Sequence, residues 1–148
     1  PYCPSPHGGP PDHWPGAHKS RRVGAYFLSN QGVDQPSHSA RCPRTRQALK
    51  GVPLCDVPAR APTAFFSILD ASTHIPPHTG VTNTRLTVHL PLIVPSDCGL
   101  RVGSETREWV PGKAWVFDDN IENAAWNRSD SQRALLIFAI WNQLLTAD

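Results

Sequence analysis

The feature that most constrains this chain is the alternation in Arg85-Leu86-Thr87-Val88-His89-Leu90-Pro91-Leu92-Ile93-Val94, entered from the turn-forming stretch Pro76-Pro77-His78-Thr79-Gly80. Successive side chains of a strand point to opposite faces, so Leu86, Val88, Leu90, Leu92 and Val94 share one face. Arg85, Thr87, His89, Pro91 and Ile93 share the other. The first set belongs against a core. The second carries a guanidinium, a hydroxyl and an imidazole two residues apart, an odd set for so regular a strand to turn to bulk water, and we read it as lining a pocket.

The remaining pattern is also β. Of the sixteen prolines six fall in the first 15 residues and the rest recur between short apolar runs, which suits loops and strands better than long helices. Val23 to Leu28 reads as a strand closed by Ser29-Asn30-Gln31-Gly32, and Thr63 to Asp70 as a strand with Phe65, Ser67 and Leu69 on one face. Leu100 and Val102 alternate against Arg101; Thr106 to Trp109 and Lys113 to Asp118 are further strands separated by Pro111-Gly112. The continuous apolarity from Ala134 to Trp141 predicts a strand covered on both faces. Pro43 at one end and Gly51 at the other predict a short helix between them. Strands at this spacing point to an all-β chain with a short helix or two, built as a double-sheet jelly roll.

Residues 1–20 are rich in Pro, Gly and His with almost no aliphatic content, so a flexible arm is expected there, with His7, His13 and His18 as weak metal candidates, and a single domain over 21–148. The chain starts at Pro1 and contains no methionine, as a piece of a longer protein would. A formal charge of +2 gives no electrostatic case for nucleic acid. No apolar window approaches the roughly 18 residues of a membrane span. Cys3, Cys42, Cys55 and Cys98 show no C-x-x-C spacing, and we expect reduced thiols in a cytoplasmic protein.

An imidazole aimed into a pocket suggests a metal, since histidine pairs, with or without a carboxylate, hold non-haem iron in oxygenases. The order of motifs makes this concrete. Ala40-Arg41-Cys42-Pro43-Arg44-Thr45, Thr73-His74-Ile75-Pro76-Pro77-His78, Gly80 to Leu86, His89-Leu90-Pro91-Leu92-Ile93-Val94-Pro95, Leu100-Arg101-Val102-Gly103, Glu105 to Trp109, Phe117-Asp118-Asp119, Trp126 to Asp130 and Arg133 together resemble the aspartyl/asparaginyl β-hydroxylase family from about Val23 onward. The resemblance implies a double-stranded β-helix and an iron(II)- and 2-oxoglutarate-dependent dioxygenase. Such an enzyme hydroxylates a β-carbon of an aspartyl or asparaginyl residue, or of a related small-molecule or peptide substrate bearing a carboxylate or amide.

By that resemblance His89 is an iron ligand, and the second ligand position, a histidine in the family, falls on Asn123. The family uses no carboxylate as a third ligand, and an amide oxygen is a poor replacement for imidazole on iron(II). Impaired activity is therefore expected. The alternative is an inactive relative that binds 2-oxoglutarate or another carboxylate. Arg133 falls where the family grips the far carboxylate of 2-oxoglutarate, a task suited to a bidentate guanidinium. Arg101 and His78 are further candidates for contacting cosubstrate or substrate, and Asp118 and Asp119 are spare carboxylates of which at most one can point inward. A cupin-like cluster of His74, His78 and His89 is a third option.

Overall fold

The computed structural model describes residues 22–57 and 63–143. The expected arm at 1–20, with its three histidines, lies outside the described residues. Ten strands and two short helices follow in order: β1 (Val23–Asn30), β2 (Val33–Asp34), α1 (Pro36–Arg41), α2 (Pro43–Leu49), β3 (Ala64–Leu69), β4 (Thr73–His78), β5 (Arg85–Ile93), β6 (Cys98–Val102), β7 (Glu105–Glu108), β8 (Trp115–Phe117), β9 (Asn123–Asn127) and β10 (Arg133–Trp141). They form a six-stranded sheet, β2-β1-β3-β10-β5-β8, and a four-stranded sheet, β4-β9-β6-β7.

The two sheets pack face to face because each strand offers an apolar inner face. Phe65 and Leu69 of β3, Leu135 and Ile137 of β10, Ile75 of β4, Leu100 of β6 and Ala125 of β9 form one buried cluster. Burying side chains of this size stabilises by about 1.5–3 kcal/mol each. The outer face of the six-stranded sheet carries a second core, in which Leu28, Ala64 and Leu136 pack with Leu49 of α2 and the partly buried Leu90. β10 thus buries both faces, as its continuous apolarity predicts, and both helices begin on a proline.

The alternation of β5 fails at its end. Pro91 pairs with Leu135 while Ile93 pairs with Ala134, a bulge that skips Leu92. Leu92 and Ile93 are consequently exposed rather than split between core and pocket. Three strands are missing from the sequence reading: the two-residue β2, then β4, which contains Pro76 and Pro77, and β9, which is rich in alanine and begins and ends in asparagine. β4 tolerates its prolines because it lies at a sheet edge, where a missing ladder donor costs least.

Candidate functional site

A cavity of about 420 Å³ opens between the sheets. Its walls include Ser67 of β3, His78 of β4, Arg85, Thr87 and His89 of β5, Asn123 of β9, Arg133 of β10, and Asp119 from the loop after β8. Arg85, Thr87 and His89 therefore share the lining face that the alternation of β5 assigns to them.

Arg133 is the most unusual of these residues. It opens β10 on the inner face, two residues before Leu135, and is 1% exposed. Its Nη2 donates to Ser67 Oγ at 2.9 Å, and its guanidinium lies 4.9 Å from the centre of the Trp109 ring. Nε is buried with no hydrogen-bond partner, and no carboxylate among the described residues pairs with this charge. Burial pushes its pKa down to about 9, offset only in part by the Cys98 thiol. A buried cation without an anion is costly, and one kept in a cavity wall is suited to an anion that arrives from outside.

His89 lies beside it. The imidazole packs edge-on against Phe117, 4.9 Å between centres, and tilted against Trp109 at 5.9 Å. Burial, reinforced by the charge of Arg133, pushes its pKa down to about 3, so the ring is neutral at physiological pH. Nδ1 is buried with no partner. His89 belongs to the six-stranded sheet and Asn123 to the four-stranded one. The residues directly opposite Asn123 are instead His78, in the β4–β9 pairing, and Val102, in the β6–β9 pairing. Opposed residues of an antiparallel pair share a face, and His78 and Asn123 both line the cavity.

The ring of His78 is oriented by a hydrogen bond from Nδ1 to the carbonyl of Pro76 at 2.9 Å. A carbonyl only accepts, so Nδ1 is the donor in this contact and Nε2 is the ring atom left for other contacts. Asn123 is held differently. Its Nδ2 donates to the carbonyls of Asp119 and Ile121 at 3.2 and 3.0 Å, which leaves Oδ1 as the donor atom it can offer a ligand.

Asp119 adds a carboxylate to this side of the cavity. Its backbone carbonyl accepts from Gly80 N at 2.6 Å, and its carboxyl group lies so close to Gly80 that a Cβ there would be 2.5 Å from Cγ. Oδ2 is 3.8 Å from the guanidinium of Arg85, and Oδ1 is buried without a hydrogen-bond partner. Burial raises its pKa, against the lowering effects of Arg85 and of a hydrogen bond from the Thr87 hydroxyl. Asp118 points its Oδ1 at the backbone and side chain of Asn120 and caps the loop.

Two expectations need correction. Arg101 does not line the cavity: Leu100 takes the inner face of β6, so Arg101 projects outward, where it pairs with Glu122 at 2.7 Å and donates to the carbonyl of Gly103. His74 is exposed, because Thr73 and Ile75 occupy the inner face of β4. The three-histidine cluster therefore does not form. Among the described residues no group of three or more His, Cys, Asp or Glu side chains could hold a metal ion.

Against these donors the two groups implied by the sequence resemblance fare differently. A dicarboxylate fits, because Arg133 supplies an unpaired buried charge. A two-imidazole iron centre does not, because the position facing His78 holds an amide already turned toward loop carbonyls.

The fold and site together define a cupin-like jelly roll with a cationic, histidine-bearing cavity. A cupin domain of an XRE family transcriptional regulator from Enterobacter cloacae superposes with a TM-score of 0.54 at 11% identity, covering 83% of this chain and 100% of that one. The Schizosaccharomyces pombe Cnp3 cupin domain gives 0.54 at 9% identity, over 84% and 69% of the two chains. The family model for aspartyl/asparaginyl beta-hydroxylase matches residues 13–143, and the chain belongs to that family. It is 36% identical over 113 residues to human aspartyl/asparaginyl beta-hydroxylase, covering 70% of this chain and 15% of that protein. It is 37% identical over 114 residues to the ornithine lipid ester-linked acyl 2-hydroxylase of Rhizobium tropici, covering 75% and 38% respectively. The chain thus spans well under half the length of these relatives.

Proposed function

We propose that this chain is a hydroxylase domain that binds 2-oxoglutarate through Arg133, and that its iron(II)-dependent dioxygenase activity is impaired at Asn123. Its substrate is a small molecule or peptide presenting a carboxylate or amide. The observation that supports this reading is the buried guanidinium of Arg133, which has no carboxylate partner of its own.

Arg133 and Ser67 would hold the far carboxylate of 2-oxoglutarate, with the neutral ring of His89 beside it. When bound, that cosubstrate supplies two electrons to hydroxylation as it is decarboxylated to succinate. Trp109, lying over the guanidinium, excludes water from it, which strengthens its attraction for an anion. His78, rather than His89, is the imidazole placed to share a metal with position 123. A reducing cytoplasmic setting is part of the reading, and the free thiols Cys42, Cys55 and Cys98 are in keeping with it.

The tied amide of Asn123 favours a second reading, an inactive carboxylate-binding module. Succinate release from 2-oxoglutarate with iron and ascorbate separates the two. Slow turnover by the natural chain that rises at least about tenfold in Asn123→His supports the impaired enzyme. Tight 2-oxoglutarate binding with no turnover, even in the revertant, supports the module. Equal turnover by the two chains would contradict any impairment at Asn123.

A further inference from the structure

We propose that the cavity also takes a monocarboxylate with an unbranched apolar tail, its carboxylate on Arg133 and its tail running outward between the sheets. The inference rests on the proposed function only for Arg133 as a carboxylate anchor. It follows from how the walls are layered. Ser67, which accepts from the guanidinium, stands opposite Leu135 in the β3–β10 pairing. The next layer is apolar on both sides: Phe65 lies opposite Ile137, and in the other sheet Ala125 lies between Ile75 and Leu100. His89, opposite Ile137 on β5, completes this layer with a neutral ring. Ala139, opposite Thr87, belongs to the layer beyond, and the exposed Val81 lies at the rim. At a strand rise of roughly 3.3 Å per residue, the step from Leu135 to Ala139 gives a tail about 13 Å to run in.

The charge pattern points the same way. Arg85 is the other permanent cation among the described cavity-lining residues, and it already faces the Asp119 carboxylate at 3.8 Å, both side chains being largely buried. The amide group of Asn123 is turned to the carbonyls of Asp119 and Ile121, so this side of the cavity offers its oxygen rather than its N–H groups. A second carboxylate brought here would lose its water and meet a carboxylate and an amide oxygen, which is unfavourable. An alkyl tail needs no polar partner. It gains about fourfold in affinity for each methylene taken out of water. One buried cation at the inner end, an apolar middle and a charge-balanced outer part therefore fit a fatty acid of medium length better than a dicarboxylate.

The test is calorimetric titration of the purified chain, in metal-free buffer, with acetate, butyrate, hexanoate, octanoate and 2-oxoglutarate. Octanoate should bind as one equivalent, at least as tightly as 2-oxoglutarate, and the two should compete. Affinity along the series of acids should rise by about fourfold per methylene. Octanol, which has the tail without the carboxylate, should bind at least about tenfold more weakly than octanoate. Ala125→Leu, which narrows the apolar layer, should lower octanoate affinity by about tenfold and leave acetate affinity unchanged, with a melting curve confirming that it folds. Should that variant not fold, the series on the natural chain decides by itself. Affinity that does not grow with tail length, or octanoate binding that survives Arg133→Met, overturns the proposal. If 2-oxoglutarate still binds through Arg133 in that case, the anchor reading stands without it; if no carboxylate binds, both fall. Octanoate binding without 2-oxoglutarate binding supports the proposal and overturns the cosubstrate reading alone.

Discussion

The guanidinium of Arg133 is hydrogen-bonded to Ser67 Oγ at 2.9 Å and, among the described residues, to no carboxylate. A fully buried charge held by a neutral hydroxyl and an aromatic ring is a poor way to stabilise a core. Its placement is intelligible as a ligand-binding device that the fold maintains at a cost in stability.

That cost can be measured. Replacing a buried charge by an apolar side chain of similar length is often neutral or stabilising by about 1–4 kcal/mol. Arg133→Met should therefore leave the urea midpoint unchanged or raise it, although it truncates one of the most buried side chains in the protein. A loss of more than about 2 kcal/mol would mean that the guanidinium is satisfied as it stands and is not waiting for an anion.

Acid should act on the fold through His89. Its pKa is about 3 in the folded chain against 6.5 for the free side chain, so between those values the unfolded state binds the extra proton. Stability then falls as pH drops through that window, at up to one proton per molecule. The loss from this residue should reach about 2 kcal/mol between pH 7 and pH 5. Denaturant unfolding of wild type and His89→Gln at the two pH values checks this; the variant should lack that share of the dependence, and an identical pH dependence would refute the burial of a neutral ring.

Asn127 holds the ends of three strands together. Its Nδ2 donates to the carbonyls of Leu69, Asp70 and Ser131, and its Oδ1 accepts from Cys98 Sγ, Ser129 N and Ser129 Oγ. Asn127→Ala would leave these buried groups unpaired and should cost about 3 kcal/mol or more, read as a lower thermal midpoint. A cost below about 1 kcal/mol would show that water replaces the amide.

Much of the fold was legible because it depends on local alternation. β3, β5 and β6 follow from it, as does the inner face of Arg85, Thr87 and His89, while β10 follows from its continuous apolarity and β1 and β8 from β-prone runs bounded by turn residues. Where the signal is split between competing rules, reading fails. Pro76 and Pro77 disguise an edge strand, and the alanines of β9 carry too little hydrophobicity to announce one. Arg101 was misplaced because alternation gives two faces without saying which is inside; only the packing of Leu100 against Ile75 and Ala125 decides it. The partnership of His78 with Asn123 joins residues far apart in sequence through strand register, and register is set by the whole sheet. The buried carboxylate of Asp119 was visible only as one of two adjacent acids until the Gly80 contact singled it out.

The central claim is that the buried charge of Arg133 is a carboxylate cradle, and calorimetric titration with 2-oxoglutarate at neutral pH tests it most directly. Wild type should bind one equivalent, and Arg133→Met should bind at least about thirtyfold more weakly while remaining folded. Equal affinity in the two proteins, or no binding by wild type, would contradict the account.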